Sequence, residues 1–386
     1  MKDEIQAGFM AALQQQPFDA LLLYGVDHAA YAGRVFLPFA HQVPQKKIAL
    51  VCTKQGRIAL VVPFEWEQAV RAQGWQESLL VYTENDGPQW RVVSKLIADF
   101  LLANRLSTAT IGVDAKNQTL ADRQVLSAQL PQLKWQAVDD WMSGLRSVKY
   151  PSELQLLRIA SEQGERGVIG ALNHLEGTVG NLNYTMKELA ERLRVHVIEF
   201  GGTGIGDLAV GQGEGADLFY RPAKGMVASG QFLRMEINNH YMGYWSVTGR
   251  TVFVGEPDES QQQAYADQCK LQRVAMAAVK PGVSAGSVFD AVKSAADTSG
   301  IQFIEDAGVG HGVGISEMEA PYLQAGNRQK LAAGMVLMIA VYTSGPQGEL
   351  LVSKEMLAVT EQGNERLSTY KDWEPLYLVN GFRGTH

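Results

Sequence analysis

The chain has 386 residues, enough for two domains, with 46% hydrophobic and 19% charged content, the proportions of a soluble globular protein. Its 34 basic and 41 acidic residues leave a net charge of −7, which excludes the basic footprint that binding to nucleic acid requires. Cys52 and Cys269 lie far apart with no CxxC spacing, which excludes a disulfide framework or a zinc ribbon.

No apolar run reaches the ~18 residues of a membrane span, and the early acids of MKDEIQAGFMAALQQQ are unlike a signal peptide. The expectation is a cytoplasmic protein that partners neither nucleic acid nor membrane. Along the first third, FDALLLYG, KIALVCT and GRIALVVP are short apolar runs bounded by Gly and Asp, which predicts strands. PFEWEQAVRAQG has helical spacing and ends at a glycine. ATIGVDA reads as another strand, followed by a helix from Asn117 to Leu130 that Pro131 closes.

The text changes at GLRSVKYPSELQLLRIASEQ. Pro151, with Ser152 and Glu153 beside it, opens a long amphipathic helix through Leu172, a good boundary signal. We therefore divide the chain into domains 1–148 and 149–386. Beyond the boundary, strands and helices alternate until KEMLAVTEQGNERLS, which reads as a hairpin. If FLRMEIN is a strand, Arg234, Glu236 and Asn238 share one face, and the Arg and Glu at i and i+2 can partly neutralise each other. In MIAVYT, Ala340 likewise shares a face with Met338 and Tyr342.

Two glycine-rich stretches bear on chemistry. GTGIGDLA places Gly204, Gly206 and Ala209 at GxGxxA spacing, but VGQGEG after it is a poor helix former, which argues against a dinucleotide site. GVGHGVGISEMEAP presents His311 among glycines, with Met318 and Glu319 following. A histidine there is either a packed loop residue or an imidazole offered to a pocket.

The stretches LRSVKYPSELQLLRIA, MGYWSVTGRTVFVG, VKPGVSAGSVFDAV, GVGHGVGISEMEAP, LAAGMVLMIAVYTS and KEMLAVTEQGNERLS, in that order, resemble the catalytic domain of the creatinase and Xaa-Pro aminopeptidase superfamily, the pita-bread fold of peptidase family M24. LLLYGVDHAAYAGRVF is similar to that family's smaller lead domain. The resemblance implies an α/β (α+β) chain, a creatinase-like α/β domain followed by a pita-bread domain. It also implies a homodimer, in which a loop of one lead domain edges the partner's pocket. YAGRVFLPFAHQVPQ is the matching loop, with Arg34, Phe36 and His41 as the candidates.

Family members that use metal hold two divalent ions with two Asp, a loop His and two Glu, and a water between the ions attacks the amide. Carried over, the first Asp is Glu236 and the second Val247; the loop His is His311, the first Glu is Ala340 and the last is Glu355. Two further family histidines map to Phe219 and Met318. Creatinase itself works without metal, but its catalytic His maps to Phe219 and a carboxylate of its site maps to Gly249.

A bridging Asp and a Glu are thus missing, so the expectation is no metal and no other cofactor. The retained acids suggest His311 as a proton shuttle with Glu355 and Glu236 as its carboxylate partners, raising the imidazole pKa. Phe219, Tyr220, Arg221, Met318, Glu319 and His240 are the candidate substrate-binding residues. Glu319 also reads as a support of the loop, Arg250 as a buried brace, and His240 as lying in a hairpin loop.

The leading expectation is a metal-independent C–N hydrolase or lyase of a small amide, amidine or amino-acid-like substrate. A silent family member that binds a ligand or partner through the old pocket is the alternative. A third is an Xaa-Pro-type peptidase with one residual metal on Glu236, His311 and Glu355.

Overall fold

A computed structural model of the chain describes residues 2–37, 40, 43, 45–178, 184–213, 225–367 and 374–380. The chain forms two compact units, Met1–Arg146 and Ser147–His386. The first is a mixed α/β domain. Its strands are β1 (Ala20–Leu23), β2 (Ala49–Thr53), β3 (Ile58–Pro63), β4 (Ser78–Tyr82), β5 (Thr110–Val113) and β6 (Lys134–Ala137).

Among the described residues these strands form one sheet in the order β4-β3-β2-β1-β5-β6. β1, β2 and β3 pair antiparallel, and the outer pairs run parallel. The inner strands ALLL, ALVCT and IALVVP are buried at every position, which is why they are apolar runs rather than alternating ones. The helix Leu120–Gln129 begins where Thr119 and Asp122 form a capping box, each side chain bonding the other's backbone N–H.

The second unit is built on a curled, largely antiparallel sheet. Its strands are β7 (Gly204–Gln212), β8 (Gln231–Tyr241), β9 (Tyr244–Val254), β10 (Gly310–Gly312), β11 (Glu319–Tyr322), β12 (Val336–Ala340), β13 (Thr343–Ser344), β14 (Leu350–Leu351), β15 (Lys354–Thr360), β16 (Gly363–Arg366) and β17 (Leu378–Val379). The order among the described residues is β11-β10-β12-β15-β9-β8-β7, with β16 on β15, β17 on β9, and β13–β14 a separate ribbon.

β8 and β9 form a long hairpin closed by Met242 and Gly243, both at positive φ (50° and 85°), the two-residue turn whose twist matches the strands. Residues of one parity on these strands pack against helices. Leu233, Met235, Ile237, Val252 and Val254 meet the helices Pro151–Thr178 and Met186–Glu199. Leu337, Ile339, Leu357 and Val359 meet the helices Glu259–Ala278 and Ala285–Ser299.

The helix that Pro151 opens lies close on the sheet. A side chain at Gly164 would put its Cβ 2.5 Å from Thr248 Oγ1, so glycine there permits the approach. Residues of the other parity lie on the opposite face, where Val247, Met338 and Ala340 cluster with Tyr244, Val313 and the first turns of the helix Pro151–Thr178 at Leu156 and Leu157. They are the ones that build the site.

Candidate functional site

Register decides which side chains meet. Directly paired residues on neighbouring strands share a face. Glu236 pairs with Gly249, Gly249 with Lys354, and Lys354 with Ala340. Asn238 pairs with Val247, and His311 with Met338, two residues from Ala340 on the same strand. Glu236, Val247, Ala340 and His311 therefore lie on one face, as the resemblance requires.

Glu355 does not. It pairs with Ile339 and points to the opposite, helix-covered face. The residue of β15 that shares the row of Glu236 and Ala340 is Lys354. The expectation that Glu355 would flank His311 is corrected by this alternation, and the fifth ligand seat of the family falls to a lysine. A one-residue shift in reading a strand exchanges its two faces.

Lys354 fills its seat with charge. Its Nζ lies 2.5 Å from Glu236 Oε2, while Arg234 Nη1 lies 2.9 Å from Glu236 Oε1. All three side chains are at least nearly buried. Burial works against the Lys354 ammonium, but Glu236 and Tyr342 outweigh it and hold its pKa above the ordinary value. The stem of Lys354 crosses Gly249, where an added Cβ would lie 2.7 Å from Lys354 Cγ and 3.0 Å from Cδ. The Arg234–Glu236 pairing follows the i, i+2 expectation.

His311 is buried in β10, and its Nδ1 lies 2.9 Å from the carbonyl oxygen of Gly312. A carbonyl can only accept, so Nδ1 carries the proton and Nε2 holds the lone pair. Burial pushes the imidazole pKa down to about 4; the Gly312 contact works the other way and Lys354 adds to the lowering. Burial thereby reverses the upward shift expected from flanking carboxylates, with Lys354 as a smaller contribution in the same direction.

Glu319 supports the loop, as one of its two readings has it. Lys149, itself buried, bonds both Glu319 Oε1 and, at 3.1 Å, the carbonyl of Ser147. Met318 is 57% exposed, turned outward where the family places a working histidine. Its neighbour Glu317 turns inward and accepts a hydrogen bond from Asn238 Nδ2. Asn238 and Tyr342 lie on the faces of Glu236 and Ala340 that strand alternation gives them, whereas Lys354, one residue from Glu355, and Glu317 escaped the sequence reading.

His240 is not in a loop. It lies in β8, buried, with Nδ1 at 3.1 Å from Thr203 Oγ1 and its ring 4.8 Å from that of Trp245. The two-residue turn Met242–Gly243 follows the Tyr241–Tyr244 pair, which leaves His240 inside the strand. Phe219, Tyr220, Arg221 and His41 lie outside the described residues. Gly204, Gly206 and Ala209 all belong to β7, so these glycines form part of a strand and not a strand-to-helix turn.

On the opposite face, Arg250 Nη2 lies 3.0 Å from Glu355 Oε1 and 3.1 Å from Glu165 Oε1. Its Nη1 donates to the carbonyls of Gly249 and Lys354, each at 2.8 Å. Arg366 Nη2 takes the other Glu355 oxygen at 2.8 Å. Glu355 is thus a member of a buried brace between the sheet and the helix Pro151–Thr178.

The donor set does not fit the two metals of the family. Of five seats, two are hydrocarbon, one is an ammonium, and both oxygens of Glu236 are engaged by cations. Among the described residues no three His, Cys, Asp or Glu side chains come together as a metal-holding group.

Residues 155–361 match the model of metallopeptidase family M24, and residues 7–148 that of the creatinase/prolidase N-terminal domain. The chain belongs to metallopeptidase family M24. It is 24% identical over 331 residues to an uncharacterized peptidase of Staphylococcus saprophyticus, covering 85% of this chain and 89% of that protein. It is 29% identical over 231 residues to the probable dipeptidase PepE of Mycobacterium tuberculosis, covering 58% of this chain and 59% of that one. Among solved structures, the X-Pro aminopeptidase of Thermotoga maritima superposes with a TM-score of 0.82 at 18% identity, covering 97% and 99% of the two chains, a likeness of fold. Among the described residues no helix is long and apolar enough to cross a membrane.

Proposed function

We propose that this chain binds a peptide-like small molecule in the family's pocket without metal ions, and that it does not carry out metal-activated amide hydrolysis. The observation that carries the reading is the Lys354–Glu236 pair at 2.5 Å. A covalently attached cation stands where the family requires a ligand for mobile ones, and it neutralises the acid that remains.

The peptide-like ligand is drawn from the relatives, which are named as a dipeptidase and an X-Pro aminopeptidase. Absence of hydrolysis follows from the donors. Glu236 is engaged on both oxygens, Glu355 serves the other face, and no carboxylate among the five seats is left to activate water.

One observation favours a second reading, a metal-independent C–N hydrolase or lyase. His311 is held neutral with its Nε2 lone pair available, the form a general base needs. A homodimer belongs to both readings, and light scattering would give its mass as a multiple of the 42.2 kDa chain.

The test is metal analysis after incubation with Mn, Co and Zn and desalting, alongside thermal-shift and turnover assays with a dipeptide panel. The expected result is no stoichiometric metal and dipeptides that stabilise the protein and are recovered intact. Cleavage without metal that is lost in His311→Ala would establish the second reading. Two bound metals per chain, or metal-stimulated cleavage, would overturn both.

A further inference from the structure

We infer that the ribbon β13–β14 holds a monovalent metal cation, sodium or potassium, on the buried carboxylate of Glu349. The site is separate from the divalent seats of the family. It bears on how the row Glu236, Gly249, Lys354 and Ala340, the floor of the candidate site, is kept in place.

The ribbon lies on the connection between β12 and β15, so it joins the strand of Ala340 to the strand of Lys354. Thr343 pairs with Leu351 and Ser344 with Leu350, and the N–H of Gly345 donates to the carbonyl of Glu349 at 2.7 Å. That register puts Thr343, Gly345, Glu349 and Leu351 on one face of the ribbon. It is the inner face. Leu351 packs with Phe232, Phe253 and Tyr265, and Thr343 and Glu349 are each only 2% exposed.

Glu349 Oε2 accepts the N–H of Gln347 at 2.8 Å. Glycine at 345 makes room for this carboxylate, since an added Cβ would lie 2.5 Å from Oε2. Glu349 Oε1 and Thr343 Oγ1 are both buried without a hydrogen-bond partner among the described residues. The ribbon, TSGPQGELL, contains no basic residue, and no Lys, Arg or His among the described residues pairs with Glu349.

A charge taken out of water is stable only when it is paired or bound to a metal. The donors here are all oxygen: a carboxylate, a hydroxyl and the carbonyls of the turn Pro346–Gly348. Such a set suits a hard cation. One carboxylate carries one charge, which a monovalent ion neutralises and a divalent ion exceeds. A face this well covered admits a bare ion and not an ammonium carried on a larger molecule. Bound there, the ion would tie the two ends of the connection together and fix the spacing of Ala340 and Lys354.

The experiment follows thermal unfolding of the full chain in sodium, potassium and choline chloride at equal ionic strength. It is paired with a crystal in which thallium(I) replaces the alkali metal. Sodium or potassium should raise the wild-type Tm by about 3 °C over choline, with a saturating midpoint. A thallium anomalous peak should lie beside the Glu349 carboxylate. Glu349→Gln should abolish the cation dependence, and Thr343→Val should raise the midpoint about 3- to 10-fold. The inference stands only if both the salt effect and the peak are found. Equal Tm in the three salts, no thallium beside Glu349, or a salt effect that survives Glu349→Gln would each overturn it. If Glu349→Gln does not fold, the wild-type salt series and the peak decide.

Discussion

Lys354 and Glu355 are neighbours in sequence and belong to different machines. On the helix-covered face, Arg250 gathers Glu165, Glu355 and two backbone carbonyls, and every partner sits on a packed element. On the other face, Lys354 and Arg234 share Glu236 in a row otherwise made of Gly249 and Ala340. Both clusters are buried ion pairs at similar depth. The first ties a helix to the sheet and braces it; the second stays within the sheet face, beside Gly249, Ala340 and the ring of Tyr342. Burial of charge alone does not separate a brace from a site. Its neighbours do.

The contrast is sharpest under mutation. Arg250→Met leaves two buried carboxylates facing each other, and we expect a loss of about 3–5 kcal/mol. Denaturant midpoints at constant slope would measure it. A loss below about 1 kcal/mol would show that the brace is not holding charge out of water.

The next effect is in pH. His311 has a folded pKa of about 4 against 6.5 when unperturbed. Between those values the unfolded chain binds more protons than the folded one, so stability must rise with pH across that window. The stabilising term is complete above about 6.5 and fades as pH falls toward 4, amounting to about 3 kcal/mol. His311→Asn should flatten the stability curve between pH 4 and 6.5, measured by urea melts at several pH values. An unchanged slope would mean that the ring is not kept neutral by burial.

Lys354→Met should be milder than Arg250→Met, about 2 kcal/mol, because Glu236 keeps Arg234 as a partner. Equal losses at Arg250 and Lys354 would erase the distinction between brace and floor.

How much of this was legible beforehand follows from the period of a strand. FDALLLYG, KIALVCT, GRIALVVP and ATIGVDA announced themselves because buried strands are apolar at every position. Pro151 announced its helix because proline suits a first turn. His311, Val247 and Ala340 were assigned to the site by resemblance, and the register places them on its face. Glu355 was misassigned because KEMLAVT carries an acid and a base side by side, and chemistry alone favours the acid. Only the pairing of Lys354 with Ala340 and Gly249 settles which of the two faces the row. His240 was misplaced for a related reason: the two-residue turn at Met242–Gly243 is shorter than the loop the text suggested. The inward turn of Glu317 rests on Asn238, Gly206 and Trp245, three strands' worth of contacts that no linear pattern displays.

The smallest effect tests whether the floor was shaped around its lysine. Gly249 does not have a positive φ, so its backbone does not require glycine. What requires it is space: an added Cβ would press on Lys354 at Cγ, Cδ and Cβ, at 2.7, 3.0 and 3.2 Å. Lysine is flexible, yet its ammonium is held by Glu236 at one end, so the stem cannot simply swing away. Gly249→Ala should therefore destabilise by about 1–2 kcal/mol, the scale of an overpacked contact. In a Lys354→Ala background the same change meets only a Cβ, and the penalty should fall by about 1 kcal/mol, a coupling that a double-mutant cycle resolves. If Gly249→Ala is equally harmful in both backgrounds, the glycine serves the sheet and not the lysine, and the idea that this row was rebuilt around a built-in cation loses its main structural support.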